Sequence, residues 1–429
     1  MRSVGASASR AAISELNEFH ILRHRLENGL DLAVLPDPHS PAVAVNLTFQ
    51  VGSVDETPGR TGFAHLFEHL MFQGSAQVAS GEHIAAIERI GGSANAYTTS
   101  DRTVYHETVP PGALEFVLWL EADRLRSLAV TQENLDAQRD VVIQEKHQRY
   151  DNRPYGDLLE LLVAQHFAPT HPYGHLPIGS MEDLRAAQLD DVAAFHSRWY
   201  SPSQARLVIC GAVSADEAMT LVERHFGDLR QGQPPSQPAV TDPTLPGQVK
   251  TVTRDAPHPL LHCSWLSPAA GAPEHLALEL GITVATEGHA SRLHRRLVKE
   301  LKVAHEIHGV ILPHLRSPSI ASVLARPADE TPTTALADAL TVELAGFGAP
   351  DERELQRAKA QHERAWLETL ATVEDRADAV AELWITHADP VRINQRLDEL
   401  AAVTSEDVAR VMADRLGASQ LHYLPRNHQ

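Results

Sequence analysis

The stretch Gly62-Phe63-Ala64-His65-Leu66-Phe67-Glu68-His69-Leu70-Met71-Phe72 constrains this chain more than any other. On a helix, positions i, i+3 and i+4 share one face, so His65, Glu68 and His69 converge on one point. Phe63, Leu66, Phe67, Leu70 and Met71 cover the other faces. A helix that is apolar nearly all round has to be buried. Its polar side chains then need partners, and one zinc ion would serve both imidazoles. The order is H-x-x-E-H, the reverse of H-E-x-x-H. In a chain with 25 histidines the motif alone is a hypothesis. The competing reading, two solvated histidines on a surface helix, does not suit apolar neighbours.

A chain of 429 residues is long enough for two or more cores. Its net charge of −19 disfavours nucleic acid and anionic membrane surfaces as partners. No run of apolar residues is long enough to span a bilayer. Cys210 and Cys263 lie in apolar, strand-like runs, which predicts two buried thiols rather than a disulfide. Met1 to Leu16 carries Arg2 and Arg10 without an apolar h-region. That pattern points to a cytoplasmic chain, or to a periplasmic one whose signal has been removed.

Residues 20–36 read as a hairpin in which Asn28-Gly29 forms a type I′ turn. Residues 42–51 alternate as a strand with one face on a core. A helix over 81–90 ends at Gly91-Gly92, and 94–99 and 103–109 read as strands. Helices follow at 111–127, 131–150 and 181–198, then a strand at 205–213. Ser214 with Glu217 opens the next helix as a capping box. Residues 231–247, with five prolines, read as a linker.

The second half repeats this order. It has strands near 258–266, 303–312 and 319–326, helices at 273–286, 290–301, 331–347, 351–372 and 375–387, a last helix from Thr404 and a last strand near 419–424. Asp191-Val192-Ala193 and Ser203-Gln204 recur at one common offset as Asp407-Val408-Ala409 and Ser419-Gln420. An internal duplication accounts for both observations. The expected fold class is α+β, with two homologous domains, each a mostly antiparallel sheet with helices on one face. The expected boundaries are 17–230, the linker 231–247, and 248–429, the last without a metal site.

Five stretches of the first half together resemble the pitrilysin/insulinase superfamily of inverted-zincin peptidases, family M16. They are His65–Phe72, Gly91–Thr98, Gln138–Glu145, His171-Pro172-Tyr173-Gly174 with Ile178-Gly179, and Trp199-Tyr200-Ser201-Pro202. The closer likeness is to the processing-peptidase-like M16B branch. The second half resembles the family chiefly at Ser291-Arg292-Leu293.

The resemblance implies one zinc per chain, held by His65, His69 and a third ligand at Glu145. Periodicity alone would leave Glu145 a surface or paired carboxylate. Glu68, not a ligand, would be the general base. Asn95, Ala96 and Tyr97 would lie on an edge strand that accepts an extended peptide; read alone, Asn95 is equally a strand-end residue. Gln138 stands where the family often has a glutamate, so it either orients His69 or Glu145 or is a surface glutamine.

Family members that act alone or as homodimers carry an Arg and a Tyr that reach the substrate from the second domain. Here Val298 and His305 occupy those places. Either a homologous M16-type partner lacking H-x-x-E-H supplies the pair in a heterodimer, or Arg295, Arg296 or His305 substitutes. The expected function is a zinc endopeptidase acting on extended peptides in a closed chamber. The alternatives are a non-catalytic core subunit of a larger complex and a zinc hydrolase with a non-peptide substrate.

Overall fold

The computed structural model describes residues 18–426 apart from 234, 242 and 244–246. The N-terminal segment read for a signal, and these parts of the proline-rich stretch, lie outside the described residues.

Six strands form the first sheet: β1 Leu22–Arg25, β2 Asp31–Pro36, β3 Val43–Phe49, β4 Ser93–Thr98, β5 Thr103–Val109 and β6 Ala205–Gly211. Their order is β1-β2-β6-β3-β5-β4. The second sheet contains β7 Val249–Arg254, β8 Leu260–Ser267, β9 Ala304–Leu312, β10 Ser319–Pro327 and β11 Leu416–Pro425, in the order β7-β11-β8-β10-β9. The two orders correspond over five strands. Each sheet has one parallel pair, β2 with β6 and β7 with β11, among antiparallel neighbours. The expected α+β architecture of two sheet-and-helix domains is what the chain adopts.

The helices that position the site are α1 Phe63–Leu70, α2 Glu82–Arg89, α3 Leu114–Ser127, α4 Gln132–Lys146 and α5 Leu189–Trp199, with α6 Val373–His387 from the second half. Leu66, Phe67 and Leu70 of α1 pack with Phe49, Tyr105 and Val142 in one large core. The burial expected for α1 is therefore met, and Phe195 and Tyr200 stack on Phe67.

Four local expectations are revised. The 20–36 hairpin closes with a longer loop, and only Gly29 takes a positive φ, at 87°. Asn28 is pulled inward instead: its Nδ2 donates to the Phe226 and Leu229 carbonyls, at 2.6 and 3.2 Å. The strand over 42–51 has both faces covered. Val43, Val45 and Leu47 face the main core, while Ala44 meets Val373, Ala377 and Trp384 of α6. The expected helix over 181–198 is broken, because Gln188 caps a new helix through Asp191. Strand β7 follows the proline-rich stretch and was not expected.

Helix α6 makes one of the contacts between the two halves. Its Asp378 accepts from Tyr97 Oη at 2.7 Å, Asn46 Nδ2 at 3.2 Å and Arg102 Nη1 at 3.4 Å. A second clasp joins Arg316 to Asp55 at 2.7 Å, while the Arg316 backbone N–H donates to Tyr173 Oη at 3.0 Å. Tyr173 belongs to the His171–Gly174 stretch and donates to Asp101. Both cysteines are free and buried. Among the described residues no helix is long and apolar enough to cross a membrane.

Candidate metal centre

Helix α1 starts at Gly62, whose φ of 88° and close approach to Gly179 exclude a side chain. The first backbone donors of α1 are met by a carboxylate. Glu56 Oε2 accepts from Gly62 N and Glu56 Oε1 from Ala64 N, each at 2.8 Å. His175 Nε2 lies 2.8 Å from Glu56 Oε2. A negative group here complements the positive end of the helix dipole. Burial pushes the Glu56 carboxyl up, and its bonds to His175 and the backbone pull the other way.

One turn into α1, the two imidazoles face the last turn of α4. His65 Nε2 and His69 Nε2 each lie 3.4 Å from Glu145 Oε2. One donor atom from each of the three residues lies within 4.8 Å of the others. A tetrahedral zinc with arms of about 2.1 Å separates its ligands by roughly 3.4 Å, so the donor set and its spacing fit zinc. Burial pushes His65 down to about 4, which leaves a neutral imidazole with a lone pair to give. The other oxygen of Glu145 is held by Arg149 Nη1 at 2.6 Å. Arg149 lies on the wider turn His147–Asp151 that continues α4.

Glu68 faces the same space without joining the donor set. Its Oε2 accepts from Thr98 Oγ1 at 2.7 Å. Burial pushes its carboxyl above the usual range, and the Thr98 bond opposes that. Thr98 is the last residue of β4, and β4 is the edge of its sheet, paired only with β5. One strand therefore has a free main-chain edge and ends on Glu68.

The other residues singled out from the sequence fall as follows. Asn95 is exposed, and its Oδ1 accepts from the Ala96 N–H at 2.9 Å. The Tyr97 hydroxyl is committed to Asp378. Gln138 is half-buried on α4 and makes no hydrogen bond to His69 or Glu145; the contact that orients Glu145 comes from Arg149. Val298 packs against the second core. His305 pairs with Asp329 at 3.0 Å, Arg295 with Glu354 at 3.2 Å, and Arg296 with Glu343 at 3.0 Å.

Arg149, Thr98, Glu56 and His175 were not read from the sequence. Only Arg149 had a local signal, standing one turn beyond Glu145. Arg149→Ala is expected to weaken zinc binding by roughly 10- to 100-fold, as removal of partners behind a metal ligand does. Competition against a chromophoric chelator measures this, and an unchanged affinity would deny Arg149 the orienting role.

The comparisons with known proteins match consecutive stretches of the chain. Residues 32–175 match the family described as "Insulinase (Peptidase family M16)", and residues 186–361 match "Peptidase M16 inactive domain". The chain is 30% identical over 290 residues to the zinc protease PqqE of Helicobacter pylori, covering 66% of this chain and 64% of that protein. It is 28% identical over 315 residues to an uncharacterized zinc protease of Mycobacterium leprae, covering 72% and 70%. The crystal structure of a protease from Helicobacter pylori superposes with a TM-score of 0.84 at 24% identity, over 95% of this chain and all of that one. That structure shares the fold. Two models of one family, together spanning residues 32–361 apart from 176–185, identify the insulinase peptidase family M16, to which this chain belongs.

Proposed function

We propose that the chain is a zinc-dependent endopeptidase of extended peptides and that it supplies the metal-bearing half of a two-chain active site. One observation carries the reading: the free edge strand β4 ends on Thr98, which holds Glu68 beside the His65, His69 and Glu145 donor set.

A peptide adding to β4 is held by main-chain hydrogen bonds, which demand little of its side chains. To do so it displaces the Asn95 side chain from the Ala96 N–H. His65, His69 and Glu145 hold one zinc, with Arg149 keeping one Glu145 oxygen turned away. When bound, that ion supplies Lewis acidity toward water and the scissile carbonyl. Glu68 takes the proton from the attacking water and returns it to the leaving amine. Thr98 fixes which Glu68 oxygen remains free for this work.

The missing Arg/Tyr pair favours a partner. Val298 is turned into its own core, and Arg295, Arg296 and His305 are engaged by carboxylates. A homologous M16-type chain without H-x-x-E-H would bring the pair and close the chamber. The test is cleavage of an unfolded peptide by the zinc-loaded chain, alone and with a similar-sized homologue carrying Arg and Tyr at those places. The pair is expected to cleave ~10²-fold faster than the chain alone, the usual weight of a lost oxyanion donor. A chelator abolishes cleavage and added zinc restores it. Full activity of the single chain would remove the partner from the proposal. Inactivity of a metal-loaded pair would favour the non-catalytic core subunit.

A further inference from the structure

A second group of donors lies apart from the site described above. His83 of α2, Glu107 of β5, and Glu121 and Arg124 of α3 meet in the interior, with exposures of 3, 0, 0 and 1%. His83 Nε2 is 3.3 Å from Glu121 Oε1 and 3.9 Å from Glu107 Oε1. One donor atom of each of these three lies within 4.8 Å of the others, as in the His65 group. Arg124 is bound to Glu121 Oε2 through Nε at 3.0 Å and through Nη2. Its guanidinium lies over the Tyr105 and Phe72 rings, and Nη2 is 3.7 Å from Glu107 Oε1.

The accounting of this cluster does not close with protein atoms alone. His83 Nε2, both Glu107 oxygens and Glu121 Oε1 are buried without a hydrogen-bond partner, as is Arg124 Nη1. Buried polar atoms of native proteins are almost always paired. Two carboxylates face one guanidinium in the interior, so one negative charge would be in excess with both ionised. Burial, then the neighbouring Glu121, push Glu107 far up. Burial works against Glu121 as well, but Arg124 and His83 outweigh it and hold Glu121 down to about 2.

A proton on Glu107 can be shared with Glu121 while His83 Nε2 faces Glu121 Oε1 at 3.3 Å, yet this still leaves one Glu107 oxygen and Arg124 Nη1 without a partner. A divalent cation can meet one donor atom of each of the three residues at once and overcompensates no more than one charge. Separations of 3.3 and 3.9 Å bracket the roughly 3.4 Å between ligands of a tetrahedral zinc. They are short for a water, whose arms are each about 2.8 Å.

We propose that His83, Glu107 and Glu121 bind a second divalent transition metal, zinc in the first place, as a closed structural site. His83 Nε2 and one oxygen each of Glu107 and Glu121 would be its ligands, and the second Glu107 oxygen could chelate the same ion. The site ties α2 and α3 to β5, whose Glu107 lies opposite Ala94 on the edge strand. It would therefore stiffen the strand on which a peptide docks. With no exposed ligand, the ion enters as the chain folds and exchanges slowly.

The deciding experiment removes the other site and leaves this one intact. The His65→Ala/His69→Ala variant, produced with zinc in the medium, is analysed for metals by mass spectrometry after passage through excess EDTA. One equivalent per chain is expected, released on unfolding in urea, and none would overturn the proposal. X-ray absorption of the retained metal should show nitrogen and oxygen ligands alone, and sulfur ligation would overturn it. His83→Gln in the same background is expected to lower the content from one equivalent to none; a variant that folds and keeps its metal would also overturn it. The double variant is read without reference to peptidase activity, so failure of the proposed catalytic role leaves this result interpretable.

Discussion

Glu68→Gln is expected to slow peptide hydrolysis by on the order of 10²–10⁴-fold while zinc bound by the His65 group stays unchanged. The amide keeps the shape of the carboxylate and can still accept from Thr98, so the packing of α1 is not disturbed. It cannot take a proton from water. His65, His69 and Glu145 keep their donor atoms, because Glu68 is not among them. The informative comparison is metal content and single-turnover cleavage measured on the same preparation. Metal loss together with activity loss would make Glu68 a ligand, and retained cleavage would refute its role as base.

Glu56→Ala is expected to destabilise the chain by about 3–5 kcal/mol, the range for removing one member of a buried, charge-bearing hydrogen-bond set. The carboxylate is buried and holds three groups, the N–H donors of Gly62 and Ala64 and the ring of His175. Alanine leaves all three in place without a partner. Since α1 carries His65 and His69, the loss should also weaken zinc binding, which separates this variant from one that merely loosens a distant core. The shift in urea midpoint at constant m-value measures the first effect, and chelator competition the second. A cost below about 1 kcal/mol would show that other groups or water satisfy the helix start. Glu56→Gln is the companion variant: one oxygen can still accept, but its amide N–H₂ opposes a second donor.

Much of the scaffold is legible because its signals are local. The existence of β3 and the capping at Ser214 follow from side-chain period and turn chemistry, which act over a few residues, while the edge strand at Ala94–Thr98 is what the family resemblance implied. The recurrence of Asp191-Val192-Ala193 at Asp407-Val408-Ala409 foreshadowed two sheets of corresponding order. Local signals failed where a distant element intervened. Asn28 could have completed a tight turn, but the Phe226 and Leu229 carbonyls offered it buried partners. No local signal placed the Tyr97 hydroxyl against Asp378 of α6. Gln138 was read as orienting His69 or Glu145 or as a surface glutamine; it makes no hydrogen bond to either, and Arg149 bonds Glu145 Oε1.

The helix with which the reading began shows the same division. By itself the sequence determined that His65, Glu68 and His69 share a face and that their helix is buried, because both follow from helical geometry and apolar neighbours. Only the tertiary structure decided the rest. Packing of α4 on α1 brought Glu145 to 3.4 Å from both imidazoles, and the end of β4 brought Thr98 to Glu68. The loop carrying His175 reached Glu56, and His83, Glu107 and Glu121 met in the interior. Periodicity specifies which way a side chain points within its own element. Which groups it then meets depends on how separate elements pack, and that is settled by burial summed over the whole core.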